Sequence, residues 1–331
     1  MNQKITFFLR AKNIDYSIEK VFNTVISNLD FNYKAKIFNV KYNRVNFTSI
    51  YKNILDCYKN RNDINHITGV INYCVFALPY SRTIITIHDL ISIDRGKGLK
   101  KYFFWFFFFY LPLKRVKYVT CISDSVRESL IKYKCCSINK ITVIPNPISD
   151  EYIYNIQKFN SICPRILHIG TRSHKNLERV IQALENVNCH LIIVGNLTNE
   201  QKILLHTYKI KYTNKIALSD NEILNEYIQC DIVSFPSLYE GFGVPIIEAQ
   251  AIGRVVLTSN IAPMNQIAGK DYFFINPNNT QSIRNGFLKF IEDNTLRENL
   301  IKNGLENIKK YRANVITNMY QNLYFKIINE N

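Results

Sequence analysis

Residues 231–253 read DIVSFPSLYEGFGVPIIEAQAIG, and how this stretch divides decides the fold. DIVSFPS (231–237) is a short apolar run bounded by turn residues, the signature of a buried strand. SLYEGFG interrupts it with two glycines and forms the loop at the strand's carboxyl end. Pro245 suits the first turn of a helix, and VPIIEAQAIG reads as that helix, ended by Gly253. Glu240 then sits in the loop, and Glu248 lies about one turn into the helix on the side of Pro245. Gly241 and Gly243 let the backbone approach a ligand closely, and free amides at the helix start favour an anion. Each carboxylate can accept hydrogen bonds from a pair of vicinal hydroxyls. A ligand with phosphate in its middle and hydroxyls at both ends, such as a nucleotide sugar, matches this pattern.

Working outward, the same alternation of short strand and helix runs through the chain, which argues for α/β units with parallel sheets. KITFFLR (4–10) reads as a first strand and SIEKVFNTVISNL (17–29) as a helix with Ser17 as its cap and Glu19 in its first turn. AKIFNVKY, RTIITIHDL, KYVTCIS and KITVIPNPI follow as strands. The rhythm breaks at PNPISDE, and a linker is placed near 149–161. CPRILHIG (163–170) restarts it, and HLIIVG, DIVSFPS, RVVLTSN and YFFINP continue it. Residues 280–331 are almost wholly helical in pattern. Two halves of similar size joined by one linker predict a ligand cleft beyond the carboxyl ends of the strands.

The chain has 331 residues, enough for two domains, and 47% hydrophobic content, enough for large cores. No N-terminal stretch reads as a secretory signal. The eight cysteines are scattered, with no CxxC pair and no zinc spacing, as in a reducing cytoplasm. The net charge is +16, and residues 1–150 hold 23 Lys+Arg against 10 Asp+Glu, while the remainder holds 19 against 16. The first half thus carries +13 of the total, which favours an anionic partner, although the richness in Lys, Asn and Ile is also what an AT-rich genome would produce.

KKYFFWFFFFYLPLKRVK (100–117) has an apolar run of about 12 residues, too short to span a bilayer, which takes about 20. Bases flank it on both sides. It reads either as a buried helix or as an interfacial one that places aromatics among headgroups, with Lys100, Lys101, Trp105, Phe106, Phe109, Lys114 and Arg115 in contact with anionic lipid. The aromatics are packed into one block and do not alternate with bases, which speaks against a nucleic-acid groove.

The segment SFPSLYEGFGVPIIEAQAIGRVVLTSN resembles the E-x7-E signature of the retaining glycosyltransferases of family 4. HIGTRSHKNLERVI (168–181) is similar to that family's first strand, loop and helix of the C-terminal domain. TIHDL, CISDSVRESL and VIPNPI look like its acceptor-side domain. The resemblance implies the GT-B architecture: an α/β fold of two Rossmann-like domains facing each other across a deep cleft. The expected division is an acceptor domain over 1–155 and a donor domain over 156–311, with a C-terminal helix at about 312–331 packing back on the first.

By the same resemblance, Glu248 would bind the ribose, and Glu240 would hold the transferred sugar with Gly241, Phe242 and Gly243. Arg172 and Lys175 would hold the donor diphosphate, and His88 would stand near the reacting centre. No D-x-D is present, which agrees with metal independence, and no cofactor is expected beside the nucleoside diphosphate sugar as co-substrate. The implied reaction moves a sugar, with retention, from a nucleoside diphosphate to a glycan or polyprenyl-linked acceptor. The expected location is the inner face of the cytoplasmic membrane, with no nucleic-acid partner. The family's glycine-rich loop after the first strand is replaced by RAKNIDYS, where Arg10 or Lys12 would substitute. His168, on an apolar strand, reads as a core residue, and Asp89 as either an orienter of His88 or a cap. TNKIALSD (213–220) reads as a loop beside the base. The rival readings are a sugar-nucleotide epimerase or phosphorylase of similar fold, and a basic protein without enzymatic activity that binds membrane or nucleic acid.

Overall fold

The computed structural model describes residues 3–11, 17–94 and 96–330. Lys12 and the Ser17 side chain, both assigned roles above, lie outside the described residues. The chain divides into two compact units, Met1–Ser149 with Arg312–Asn331, and Asp150–Tyr311.

The first unit is built on six parallel strands: β1 Gln3–Leu9, β2 Tyr33–Asn39, β3 Ile64–Ile67, β4 Thr83–Ile87, β5 Tyr118–Cys121 and β6 Ile141–Val143. Their spatial order is β2-β1-β3-β4-β5-β6. The direction of winding therefore reverses between β1 and β3, and ligands of open α/β sheets bind at such a reversal. β3, the strand INHI, was not foreseen: four residues with Asn and His among them carry no strand signal. Neighbouring strands supply it, since Asn65 and His66 are buried between β1 and β4.

The core of this unit contains Ile5, Phe7, Phe22, Val25, Ile64 and Ile84, and it is completed from the far end of the chain. The helix Ala313–Asn329 brings in Ile316, Tyr320, Leu323, Tyr324 and Ile327. A buried hydrogen-bonded chain fixes its rotation. His66 Nδ1 is 2.8 Å from Tyr324 Oη, His66 Nε2 is 2.7 Å from Thr86 Oγ1, and Thr86 Oγ1 is 2.6 Å from Thr120 Oγ1. At its end, Glu330 accepts from Lys117 Nζ and Tyr118 Oη at 2.8 and 2.6 Å, which pulls its carboxyl down to about 2.

The second unit carries β7 Arg165–Ile169, β8 His190–Val194, β9 Tyr212–Lys215, β10 Ile232–Phe235, β11 Val255–Ser259 and β12 Phe274–Ile275. Their order is β12-β11-β10-β7-β8-β9, all parallel. Counted from β7 this is the 3-2-1-4-5-6 order of a dinucleotide-binding sheet, with the reversal between β7 and β10. The stretch read above as a loop beside the base is instead strand as far as Lys215, and Ser219 caps the next helix with Glu222 in a capping box. The segment read as an irregular linker has no regular structure, yet Tyr152 within it is fully buried.

Candidate active site

β7 and β10 both deliver their chains to the reversal of the second sheet. β7 leads to Gly170, whose φ of +96° suits glycine. A Cβ there would come within 3.0 Å of the Lys175 side chain, so glycine also opens the path along which that lysine runs. A 3-10 turn over Ser173–Lys175 follows, and then Asn176, in the left-handed region at φ 65°. The buried Asn176 amide donates to the carbonyls of Pro236 and Pro277 at 3.0 and 2.7 Å. Leu238 N–H donates to His174 O at 2.8 Å. These bonds tie the loop after β7 to the loop after β10 and bring two residues 65 positions apart into contact: Lys175 Nζ donates to Glu240 Oε1 at 2.6 Å.

Both partners of this pair are largely withdrawn from water, 19% and 15% exposed at the side chain, so the contact is screened less than a surface ion pair. The ammonium also stands 4.8 Å from the Phe235 ring centroid. It helps to hold His168 neutral: burial, seconded by the Lys175 charge, lowers that imidazole to about 3. His168 is buried, with Nδ1 3.2 Å from Ser234 Oγ, in keeping with its reading as a core residue. Arg172, assigned with Lys175 to the diphosphate, opens the same turn with its side chain exposed.

Gly243 caps the helix Val244–Ile252 at φ +115°, and Pro245 lies in its first turn. Phe242 is buried against Tyr311, rings 5.7 Å apart, so its side chain belongs to the core. Every residue of this helix from Ile246 to Ile252 is buried, so Glu248 is a carboxylate withdrawn from water. Tyr227 Oη donates to Glu248 Oε2 at 2.7 Å, and Tyr152 also hydrogen-bonds this carboxylate. Burial and the facing carboxylate push both phenols far above their ordinary value, so both remain donors. The sequence reading missed these two tyrosines. Tyr227 lies on a helix whose pattern marks it only as a core position, and Tyr152 lies in what looked like a linker.

The first unit has its own cluster at the β1/β3 reversal. His88, half-buried just beyond β4, has Nε2 2.9 Å from the Thr68 carbonyl. A carbonyl only accepts, so Nε2 carries the proton and Nδ1 keeps its lone pair. Burial lowers the imidazole to about 4, against the bond to Thr68, so it is neutral near pH 7. Arg10, which was to substitute for the missing glycine loop, makes a bidentate pair with Glu19 at 2.9 and 3.0 Å. Gly69 after β3 lets the chain pack against it, since a Cβ there would stand 3.0 Å from Arg10 N. Asp89 Oδ1 accepts from Ile91 N at 3.0 Å, the capping alternative.

The aromatic block forms a helix Gly98–Phe104, a wider π-type turn Trp105–Tyr110 and a last helical turn Leu111–Lys114. Tyr102, Phe103, Phe106 and Phe107 are exposed, as are Lys100, Lys114 and Arg115, while Lys101 is half-buried. Phe109, counted above among the lipid contacts, is 3% exposed and belongs to the core with Phe108. Trp105 is half-buried, and its Nε1–H donates to Tyr133 O at 2.7 Å, so it anchors the helix to its own unit. Among the described residues no helix is long and apolar enough to cross a membrane.

Comparison with known proteins adds the family. Residues 34–152 match the model for Glycosyltransferase Family 4, and residues 155–307 match that for Glycosyl transferases group 1. The chain is 24% identical over 257 residues to the serotype-specific mannosyltransferase WbdA of Escherichia coli, covering 70% of this chain but 32% of WbdA. The chain thus spans about a third of that relative's length. It is 24% identical to the capsular polysaccharide biosynthesis glycosyltransferase CapM of Staphylococcus aureus, over 98% of this chain and 93% of CapM. Among solved structures, Anabaena HepE in complex with UDP and glucose superposes with a TM-score of 0.79 at 13% identity, over 98% of this chain and 100% of that one. Two consecutive segments of the chain thus match glycosyltransferase models, on a two-sheet α/β fold like that of the GT-B glycosyltransferases.

Proposed function

We propose that this chain transfers a sugar, with retention and without a metal, from a nucleoside diphosphate to a glycan or lipid-linked acceptor in surface polysaccharide assembly. One observation carries the reading: the Lys175–Glu240 pair joins the loops after β7 and β10 at the sheet reversal, and the second loop leads to the helix that buries Glu248. The relatives named for mannosyl transfer and capsule synthesis support the polysaccharide setting.

In this reading Glu248, oriented by the two tyrosines, accepts from the ribose hydroxyls. Lys175 spends one N–H on Glu240 and offers the others to the diphosphate, joined by the exposed Arg172. As the bond between the anomeric carbon and the phosphate oxygen breaks, its electron pair goes to the diphosphate, and these cations meet the growing charge. The acceptor oxygen bonds to the anomeric carbon on the face the diphosphate leaves, and its proton passes to the departing phosphate oxygen. Glu240, with the amides of Gly241, Phe242 and Gly243, holds the sugar. His88 offers its neutral Nδ1 to a hydroxyl. The chain works on the inner face of the cytoplasmic membrane, where Phe103, Phe106 and Phe107 meet the lipid among Lys100, Lys101, Lys114 and Arg115.

The test is donor binding and transfer by Glu248→Ala and Lys175→Ala, after a thermal-shift screen with UDP, GDP, ADP and their common sugars has found the donor. Both variants should lose donor affinity, and product NMR should show the donor's anomeric configuration with activity unchanged by EDTA. Unaltered donor affinity in both variants would end the assignment.

A further inference from the structure

The helix Phe47–Lys59 is apolar on more than the side it buries. It turns Ser49, Asn53 and Cys57 inward, with Ile50 and Ile54 half-buried beside them, and leaves Phe47 94%, Tyr51 61%, Leu55 39% and Tyr58 51% exposed. At about 100° per residue these four form one stripe roughly 80° wide and ~16 Å long. The orientation is fixed by hydrogen bonds. Asn53 Nδ2 donates to Tyr42 O and to Tyr73 Oη at 2.8 and 2.9 Å, and Tyr42 N–H donates back to Asn53 Oδ1 at 3.2 Å. Turning the apolar stripe inward would break all three and strand a buried amide. The outward stripe is therefore what this unit is built to present, and an apolar face of this kind on a surface marks a contact site.

Its charge names the partner. Residues 41–61 hold Lys41, Arg44, Lys52, Lys59 and Arg61 against the single acid Asp56. Arg61 lies over the Tyr58 ring at 3.7 Å, and Lys52 stands 5.3 Å from the Tyr42 ring centroid, so cations flank the aromatic stripe. A second copy of this chain would bring the same bases together across a two-fold contact and be repelled. An anionic bilayer takes apolar side chains and neutralises the bases at once. The helix is also joined to the other aromatic segment. It packs on the short turn Asn72–Ala77, and that turn holds the π-type turn through Asn72 Nδ2 to Phe108 O at 2.8 Å and Tyr73 against the Phe108 ring at 5.9 Å. Phe76 on this bridge is exposed too.

We propose that the outward face of the helix Phe47–Lys59 is a lipid-docking surface that lies on an anionic bilayer. The proposal extends the membrane part of the functional reading, and the experiment separates the two. The full chain is sedimented with vesicles of phosphatidylcholine alone or with about one third phosphatidylglycerol. The variants are Phe47→Ser/Tyr51→Ser, Lys52→Gln/Lys59→Gln, and Phe103→Ser/Phe106→Ser/Phe107→Ser. Because all these side chains are at the surface or its edge, circular dichroism should stay unchanged. Phe47→Ser/Tyr51→Ser should weaken binding to the anionic vesicles by about tenfold or more. Lys52→Gln/Lys59→Gln should weaken it less, and added salt should lower wild-type binding. If Phe47→Ser/Tyr51→Ser binds like wild type while the Phe103 variant loses binding, this helix is not a docking surface and the earlier segment alone is. Equal wild-type binding to neutral vesicles, no binding at all, or self-association abolished by Phe47→Ser would each overturn the proposal.

Discussion

The two sheet reversals of this chain solve the same problem with different materials. The one between β7 and β10 is charged: a lysine and a glutamate in contact, and a second glutamate held by two phenols. The one between β1 and β3 centres on a neutral imidazole whose tautomer a main-chain carbonyl sets, while the nearby arginine is already occupied by Glu19. In the proposed reading the first meets a diphosphate, which calls for permanent charge. The second meets a sugar hydroxyl, which calls for a lone pair and little charge, because a full charge would cost desolvation without being neutralised. The difference also reaches stability. The second unit closes its core with one continuous stretch of chain, whereas the first borrows five core side chains from the last helix.

That contrast is broken most severely by ending the chain at Tyr311. The loss of Ile316, Tyr320, Leu323, Tyr324 and Ile327 removes burial worth on the order of 10 kcal/mol, comparable to a domain's whole stability. Limited proteolysis should then digest the first unit and spare the fragment from Asp150 to Tyr311. Equal resistance of both units would show that the borrowed helix is dispensable.

Lys175→Ala tests the charged reversal next. It removes the proposed phosphate ligand and leaves Glu240 without this partner in a largely buried place, so kcat/KM should fall by about a hundredfold or more. His88→Ala should cost less, since a neutral hydrogen bond is lost and not a charge, and a larger loss for His88→Ala would reverse the proposed division of labour. Tyr227→Phe sharpens the role of the phenols. Removing one hydrogen bond to the Glu248 carboxylate should weaken donor binding by about tenfold with kcat little changed, and should narrow the preference for UDP over 2′-deoxy-UDP if uridine is the base.

The smallest effect lies in the pH dependence of the first unit. Burial holds His66 neutral down to about 3 in the folded chain, whereas in the unfolded chain it protonates near 6.5. The unfolded state takes up more protons between these values. The stability contributed by the neutral ring is thus intact above pH 6.5 and is lost as pH falls toward 3. Between pH 7 and 5.5 the loss from His66 alone should be about 1 kcal/mol, readable as a lower urea midpoint. A midpoint that stays flat over this window would mean the imidazole is already charged or exposed.

Several of these features were legible in the chain itself. The strand, loop and helix of residues 231–253 could be read because each of their signals is local: a β-branched run, paired glycines, a proline at the helix start and a glycine at its end. β3 was not legible, because Asn65 and His66 are polar residues made into strand by partners on both sides. Nor was the loss of Phe109 to the core, since a run of aromatics does not say which of them its own domain will cover.

The sequence alone determined the class of fold and nominated the residues proposed to carry chemistry, because helix and strand periods and the charges of side chains are properties of neighbouring residues. Only the tertiary structure decided that Lys175 meets Glu240, that two distant tyrosines grip Glu248, and that the helix Phe47–Lys59 turns its aromatic side outward. Strand order, together with the single amide of Asn53 and the hydrogen bonds it demands, sets those outcomes, and both act across the fold and not along the chain.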